Sequence, residues 1–140
     1  MPNLAKTHAA LPGSDHLVLR LDVTAESDWL SAIAEVARRF GKLDVLVNNA
    51  GWGDPRTIFE ITFGRWWELV TINLDSVFLS TRHALPLLEE PGNAAIVNIS
   101  SIRGFMVGVG STPYNVAKAG IHIFSKASAI EYTAKGGRCA

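Results

Sequence analysis

Short apolar runs alternate with amphipathic helical patterns along this chain, and this alternation restricts its possible folds more than any other feature. Three runs rich in β-branched and aliphatic residues are typical of strands. They lie at residues 17–23, 43–47 and 95–100. Apolar residues at helical spacing follow each run. These patterns cover 25–40, 65–89 and 113–134. Strands that alternate with helices predict a parallel sheet with helices on both faces, so the predicted fold class is α/β.

Punctuating residues mark the ends of these helices. Thr24 is a candidate N-cap for the helix at 25–40, and Gly41 suits a left-handed stop. Pro86 is expected to kink or end the second helix. Thr112 is a candidate cap for the third helix, and Gly136 and Gly137 are expected to stop it. The length of 140 residues fits one domain, residues 1–140.

Polar and glycine residues follow each predicted strand. Asp22 ends the first run, Asn48 to Gly51 follow the second, and Ser100 and Ser101 follow the third. Ligands of open parallel sheets bind beyond the carboxyl ends of the strands. These residues are therefore the first candidates for a binding site.

Tyr114 and Lys118 form the main catalytic candidate. They are four residues apart near the start of a helix, so they share one face. A phenol titrates near 10, and a neighbouring ammonium favours its phenolate, which makes proton exchange with a substrate oxygen possible. Ser101 could hydrogen-bond the same oxygen. The alternative is an ordinary i,i+4 pair on the protein surface.

The order of four motifs is more specific than any one of them. N-N-A-G at 48–51 is followed by Asn73, by I-V-N-I-S-S at 96–101 and by Y-N-V-A-K at 114–118. This order and spacing resemble the short-chain dehydrogenase/reductase family. The resemblance implies a partial, doubly wound, Rossmann-like parallel sheet carrying the family's third, fourth and fifth strands with flanking helices.

The resemblance also implies catalytic roles. Tyr114 would be the acid/base, and Lys118 would favour its phenolate and hold the nicotinamide ribose. Ser101 would orient the reacting oxygen. Asn73 would hold a water that connects Lys118 to solvent, although a helix residue bonding a loop carbonyl is the alternative. Ala117 stands where the family often has serine.

The implied cofactor is NAD or NADP, which the sequence does not distinguish. Asp22 and Val23 would contact its adenine, with a turn at a strand end as the alternative for Asp22. The residues Asn49, Ala50 and Gly51 would lie against the cofactor ribose. Asn48 more simply ties neighbouring strands together, and Ser100 is expected to be structural.

A second glycine pattern, G-x-x-x-G-x-G at Gly104, Gly108 and Gly110, has the spacing of a pyrophosphate site. We reject it, because in the family this stretch shapes the substrate pocket. No metal site is expected, because the four histidines match no ligand spacing. Cys139 is expected to be a bystander.

Composition excludes several functional classes. The 13 basic and 13 acidic residues balance, which argues against nucleic acid or an anionic membrane as the main partner. One cysteine excludes an internal disulfide and suits a reducing compartment. No apolar run approaches the length of a membrane span. We expect a cytoplasmic protein.

The resemblance further implies that the family's first two strands, with their T-G-x-x-x-G-x-G turn, and its last two strands lie outside this chain. The run at 17–23 would then either pair with 43–47 or leave a gap of about 14 Å in the sheet. The run at 95–100 would have a free edge. We expect the isolated chain to be poorly stable or oligomeric.

Two functions remain open. The first is an NAD(P)-dependent oxidoreductase that interconverts a secondary alcohol and a ketone, with a homo-oligomer expected for the full-length parent. Apolar residues such as Trp52, Ile102 and Phe105 suggest a cyclic or sterol-like substrate. The second is a non-catalytic pseudoenzyme that acts as an oligomerisation module through the helices at 65–89 and 113–134.

Overall fold

The fold was obtained as a computed structural model, which describes residues 2–89, 92–133 and 138–139. From residue 26 onward its helices and strands alternate as the sequence predicts. In chain order they are α1 Pro2–Ala10, α2 Glu26–Phe40, β1 Val45–Asn48, α3 Phe63–Val70, a π-helical turn Thr71–Asp75, α4 Ser76–Glu89, β2 Ala95–Asn98, a 3₁₀ turn Ile102–Gly104, α5 Thr112–Thr133 and β3 Arg138–Cys139. No helix in the described part of the chain is long and apolar enough to cross a membrane.

The strands form one parallel sheet in the order β1-β2-β3. β1 and β2 pair from Val45 opposite Ala95 to Asn48 opposite Asn98. The Asn48 amide donates a 2.8 Å hydrogen bond to the side-chain oxygen of Asn98, so Asn48 ties the strands together as predicted. The α/β class with a parallel sheet is therefore confirmed.

The prediction of a strand at 17–23 is wrong. These residues form no strand and pair with neither β1 nor β2. Instead the segment lies beside α2, where Leu17 and Leu19 line an open groove of about 470 Å³ with Val36 and Phe40. A strand exists only where a neighbour accepts its backbone hydrogen bonds, and the described residues offer this segment none.

The edge of β2 that was expected to be free is paired instead. β3 contributes two residues, with Arg138 opposite Ala95 and Cys139 opposite Ile96. The prediction missed this strand because two residues carry no recognisable alternation. Gly136 and Gly137, the predicted stop of the preceding helix, lie outside the described residues.

The ends of α2 illustrate which local signals are reliable. Gly41 ends the helix at φ 74°, and its N–H bonds to the Ala37 carbonyl, as predicted. Thr24 is not the N-cap: Ala25 holds that position without a side-chain bond. The Thr24 hydroxyl instead donates to Asp22 at 2.7 Å. Asp22 competes successfully for the hydroxyl because it lies two residues away in a turn.

The long second helix does not end at Pro86. It begins at the N-cap Thr62, passes through the π-helical turn, and continues past Pro86 to Glu89. Pro86 lies in the last turn, so it removes a single backbone hydrogen bond near an end that is already incomplete. Thr112 likewise is the first residue of α5 rather than a cap outside it.

The core lies on one face of the sheet. Ile96, Ala84, Leu88 and Tyr132 are buried together, and the Tyr132 hydroxyl donates to the Leu88 carbonyl at 3.0 Å. On the opposite face of β1, Val45 and Val47 are 51% and 55% exposed. The described helices therefore cover the sheet from one side, whereas the sequence predicted helices on both faces.

Candidate active site

The candidate site lies at the carboxyl edge of the sheet. The chain leaves β1 into Asn49–Gly51 and leaves β2 into Ile99–Ser101. Parallel strands bring these two exits to the same edge. The first turns of α5 complete the site, because Lys118 reaches back to the end of β2.

Lys118 is the best-fixed residue of the site. Its side chain is buried, with 4% of the residue exposed, and Nζ donates to the Ile99 carbonyl at 2.8 Å. Burial lowers the pKa of Lys118 from its usual range. The Ser100 hydroxyl donates to the Lys118 carbonyl at 2.9 Å, a structural role as expected. This burial excludes the alternative of an exposed i,i+4 pair for Lys118.

Asn73 lies in the π-helical turn and is fully buried. Its amide nitrogen donates to the Trp52 carbonyl at 2.8 Å and to the Leu69 carbonyl at 2.9 Å. Its Oδ1 is buried and has no hydrogen-bond partner among the described residues. A buried acceptor without a partner is costly, so it marks a place for a water or ligand donor.

Gly51 brings Asn73 and Lys118 into one space. A Cβ on Gly51 would collide with Asn73 Oδ1 and would lie 3.6 Å from Lys118 Nζ. The unpartnered amide oxygen and the ammonium therefore both border the same exposed glycine.

Tyr114 lies one turn before Lys118 in α5, and Lys118 Nζ is 5.6 Å from its ring centroid. The ring also lies against Gly53, where a Cβ would be 3.5 Å from Tyr114 Cδ2. The structure thus brings together Tyr114, Lys118 and Asn73, the three predicted catalytic residues outside the β2 loop.

Ser101 has a local role at the end of β2. Its hydroxyl oxygen accepts a 3.2 Å hydrogen bond from the Arg103 backbone N–H and caps the 3₁₀ turn. Among the described residues, its hydroxyl makes no hydrogen bond with Tyr114. A hydroxyl that accepts one bond still has a proton to donate.

Asp22 and Val23 form the turn before α2. The Asp22 carboxylate accepts bonds from the Thr24 hydroxyl and N–H, which lower the pKa of Asp22. The Val23 carbonyl accepts a 3.0 Å bond from the Trp29 indole. Asp22 also lines an open groove of about 520 Å³ that reaches Trp52. The local hydrogen bonds of Asp22 are therefore those of the alternative role, a residue in a turn. The groove that Asp22 lines also includes Trp52, in the loop after β1.

The sequence prediction missed an ionic cluster beside the site, formed by Asp54, Arg56 and Arg65. Asp54 is 5% exposed, and both Arg56 Nε and Arg65 Nε donate to it at 2.9 Å. The two guanidinium groups hold the pKa of Asp54 well below its usual range. Arg65 also lies over the Trp52 ring, 4.0 Å from the centroid. The spacing D-x-R alone does not distinguish such a cluster from surface charges.

The three glycines of the 104–110 pattern all face protein. A Cβ on Gly104 would lie 2.9 Å from the Lys118 backbone, one on Gly108 would meet the Arg103 side chain, and one on Gly110 would collide with the Pro55 carbonyl. This packing supports their rejection as a phosphate site. In the described residues, no three His, Cys, Asp or Glu side chains group together in a way that could hold a metal.

Comparison with known proteins gives consistent results. The sequence profile described as short chain dehydrogenase matches residues 1–139. A 2,5-dichloro-2,5-cyclohexadiene-1,4-diol dehydrogenase of Sphingobium indicum is 39% identical over 126 residues, which are 90% of this chain and 50% of that protein. A cis-4-hydroxycyclohexanecarboxylate dehydrogenase of Sinomonas cyclohexanicum is 38% identical over 125 residues, covering 89% and 50%.

Solved structures match equally well. A short chain dehydrogenase from Mycobacterium smegmatis superposes with a TM-score of 0.89 at 31% identity, covering 97% of this chain and 58% of that one. A short-chain dehydrogenase from Streptomyces avermitilis gives 0.90 at 31%, covering 98% and 50%. The chain thus spans about half the length of the curated relatives that it matches.

Proposed function

The chain belongs to the short-chain dehydrogenase family of oxidoreductases, and on that premise we propose that its protein interconverts a secondary alcohol and a ketone with NAD or NADP. Tyr114 is the proposed acid/base. The observation that carries this proposal is the convergence of Tyr114, Lys118 and the unpartnered Asn73 oxygen beside Gly51.

The residues around Gly51 fit the ribose of a dinucleotide. Asn49, Ala50 and Gly51 are exposed and small at the end of β1. An ammonium has three donors, and the Ile99 carbonyl takes one from Lys118. Two donors and the Asn73 acceptor remain, which suits hydroxyl groups that both donate and accept. When bound, the nicotinamide supplies the hydride or takes it up.

The other cofactor contacts are proposed from the resemblance and the groove. Lys118 would hold the nicotinamide ribose, while Asp22 and Val23 would contact the adenine. The groove lined by Asp22 and Trp52 supports the assignment of Asp22, because it reaches the loop that follows Gly51.

The proton chemistry follows from the polar groups. The Tyr114 phenol gives a proton to the substrate oxygen or takes one from it, and the Lys118 ammonium stabilises the phenolate. Asn73 Oδ1 would hold the water that links Lys118 to solvent. Because the Ser101 oxygen accepts from Arg103, its own proton is free to orient the reacting oxygen.

The proposed substrate is a cyclic secondary alcohol. Ile102, Phe105, Met106 and Val107 are exposed in the segment that follows Ser101 and would form an apolar wall. The Sphingobium indicum and Sinomonas cyclohexanicum relatives are named for hydroxylated six-membered carbon rings. An apolar wall favours a ring over a charged chain. A cytoplasmic location is part of the same proposal.

The test is turnover by the protein as expressed from its own gene, with cyclohexanol and NAD or NADP, followed by the absorbance of the reduced nicotinamide. We expect Tyr114→Phe to lower kcat by roughly 10²–10⁴-fold, the usual contribution of an acid/base. Tyr132→Phe, which removes the buried hydroxyl far from the site, is the control. Unchanged turnover in Tyr114→Phe would refute the proposal.

A second function, the oligomerisation module, is favoured by apolar side chains exposed on two helices. Phe78 on α4 and Ile123 and Ile130 on α5 are 47%, 66% and 78% exposed. The first function predicts turnover in addition to any assembly, whereas the module predicts assembly alone. Sedimentation of the wild type and of Ile123→Glu compares the masses of the two particles. An unchanged mass in the variant would contradict a role of the exposed α4 and α5 side chains in assembly.

A further inference from the structure

We propose that Asp54 is a positioning residue for the reaction, because its carboxylate fixes to α3 the loop after Gly51, and this loop supports the start of the helix that carries Tyr114. The proposal rests on the proposed function and assigns to that site a residue outside its reacting groups. Three sets of contacts support it.

The first set holds the carboxylate. Asp54 is almost fully buried, and its two oxygens accept bonds from Arg56 and Arg65, which come from the loop itself and from α3. A buried carboxylate is stable only when it is paired and fully bonded. The loop at Asp54 is therefore fixed to α3.

The second set joins this loop to the start of α5. The Ser111 hydroxyl donates to the Asp54 carbonyl at 2.8 Å, and the Ser111 N–H donates to the Arg56 carbonyl at 3.0 Å. Ser111 has φ 61°, a left-handed conformation that a non-glycine residue adopts only when its surroundings impose it. Its own carbonyl accepts the 2.9 Å bond from Asn115 N–H in the first turn of α5.

The third set joins the same loop to the reacting groups. The Trp52 carbonyl accepts from the Asn73 amide, and Gly53 lies against the Tyr114 ring. Arg65, while bonded to Asp54, covers the Trp52 ring. Displacement of this loop would therefore move the supports of Asn73 and Tyr114 together. Among the described residues, Asp54 hydrogen-bonds to neither Asn73 nor Tyr114, so it acts through position.

The test compares Asp54→Asn with Asp44→Asn in the protein as expressed from its gene. Asn keeps the size of Asp and removes its charge, and Asp44 pairs with Lys42 at an exposed site. We expect Asp54→Asn to lower kcat about 10–100-fold with an unchanged cofactor KM, because small misplacements are costly to catalysis. Without cofactor, we expect hydrogen exchange of the Ser111 amide to accelerate at least about tenfold, because the form in which this amide is bonded to the Arg56 carbonyl is less populated. Asp44→Asn should change neither.

Two results would overturn the proposal: Asp54→Asn matching Asp44→Asn in both measurements, or faster exchange across the whole chain with kcat and KM equally impaired. If Tyr114→Phe keeps its turnover, the proposed function fails, and the Ser111 exchange still decides whether Asp54 holds the loop. Should Asp54→Asn fail to fold, Arg65→Gln removes one of its two cations, and we expect the same changes to a smaller degree. Their absence there would also refute the role of Asp54.

Discussion

Gly51 is the residue on which the packing of the site depends, because Asn73 and Lys118 border the space where a Cβ would lie. The absence of a side chain at Gly51 allows the side chains of Asn73 and Lys118 to approach its backbone closely. Its φ is not in the left-handed region. A larger residue would therefore be excluded by its neighbours and not by its backbone.

We expect Gly51→Ala to destabilise the protein by about 1–3 kcal/mol, the usual cost of inserting a methyl into packed surroundings. Gly64→Ala is the matched control. Nothing lies within 4 Å of a Cβ there, and the residue is in α3, so this change should stabilise by about 0.5–1 kcal/mol. Urea unfolding of both variants gives the comparison, and equal effects would contradict the packing argument.

The buried Lys118 makes stability depend on pH. Burial lowers its pKa in the folded chain, so as pH rises towards the ordinary value near 10.4 the folded state loses its proton before the unfolded state does. The unfolded state then binds more protons, and the stability contribution of Lys118 rises with pH. Below the lowered pKa, both states are protonated and the contribution is constant at its least favourable value.

We therefore expect the free energy of unfolding of the wild type, relative to that of Lys118→Met, to increase as pH rises from 7 to about 10.4. Urea unfolding at several pH values measures this difference. Lys126→Met, an exposed lysine in the same helix, should show no such trend. A difference between wild type and Lys118→Met that is flat across this range would show that burial does not perturb Lys118.

Site residues differed in how well the sequence predicted them. Tyr114, Lys118 and Asn73 were predicted because they belong to motifs with fixed spacing. Their contacts support that grouping, and their chemical roles stay a prediction. Asp54 was missed because its partners come from a loop and from α3, and neither the arginine spacing nor its position after Gly51 signals burial. Long-range pairing of side chains is decided by packing, which the sequence pattern does not contain.

At the scale of elements, patterns with their own internal signal were predicted best. α2 and α5 carry apolar residues at helical spacing, and both formed near the expected residues. The run at 17–23 has the composition of a strand yet forms none, because a strand depends on a partner outside itself. For the same reason β3, which exists through its pairing with β2, was not predicted.

The stop of α2 gives a prediction at this scale. Gly41 has φ 74° with nothing within 4 Å of a Cβ, so Gly41→Ala meets only backbone strain. We expect it to lower the free energy of unfolding by about 1 kcal/mol, the cost of a left-handed conformation for alanine. Thermal unfolding followed by circular dichroism measures it. A stabilisation, as expected for Gly64→Ala, would mean that α2 simply extends by a residue.

At the scale of the whole molecule, the sheet is covered from one side. Ile96 is 1% exposed on the covered face, whereas Val45 and Val47 on the other face are about half exposed. Exposed apolar strands promote association. This supports the expectation that the 140-residue chain, purified alone, is oligomeric or poorly stable.

We expect Val47→Lys to reduce the concentration-dependent association of the 140-residue chain and to change the free energy of unfolding by less than about 1 kcal/mol, because the position is exposed. Ile96→Val, on the covered face, should cost about 0.5–1.5 kcal/mol and leave association unchanged. Light scattering over a concentration series distinguishes them. A monodisperse wild-type monomer with a cooperative thermal transition would contradict the expectation.

The π-helical turn at Thr71–Asp75 acts as a change of rotational phase within one continuous helix. The π-helical turn contains one residue more than an α-helical turn. Every later side chain is therefore rotated about the helix axis by roughly 100° relative to its position in an uninterrupted α-helix. Before the turn, Arg65 points to Asp54; after it, Ala84 and Leu88 point into the core under the sheet. One helix can therefore serve the site with its first half and the sheet with its second, and deleting a single residue between them would put the two halves out of phase.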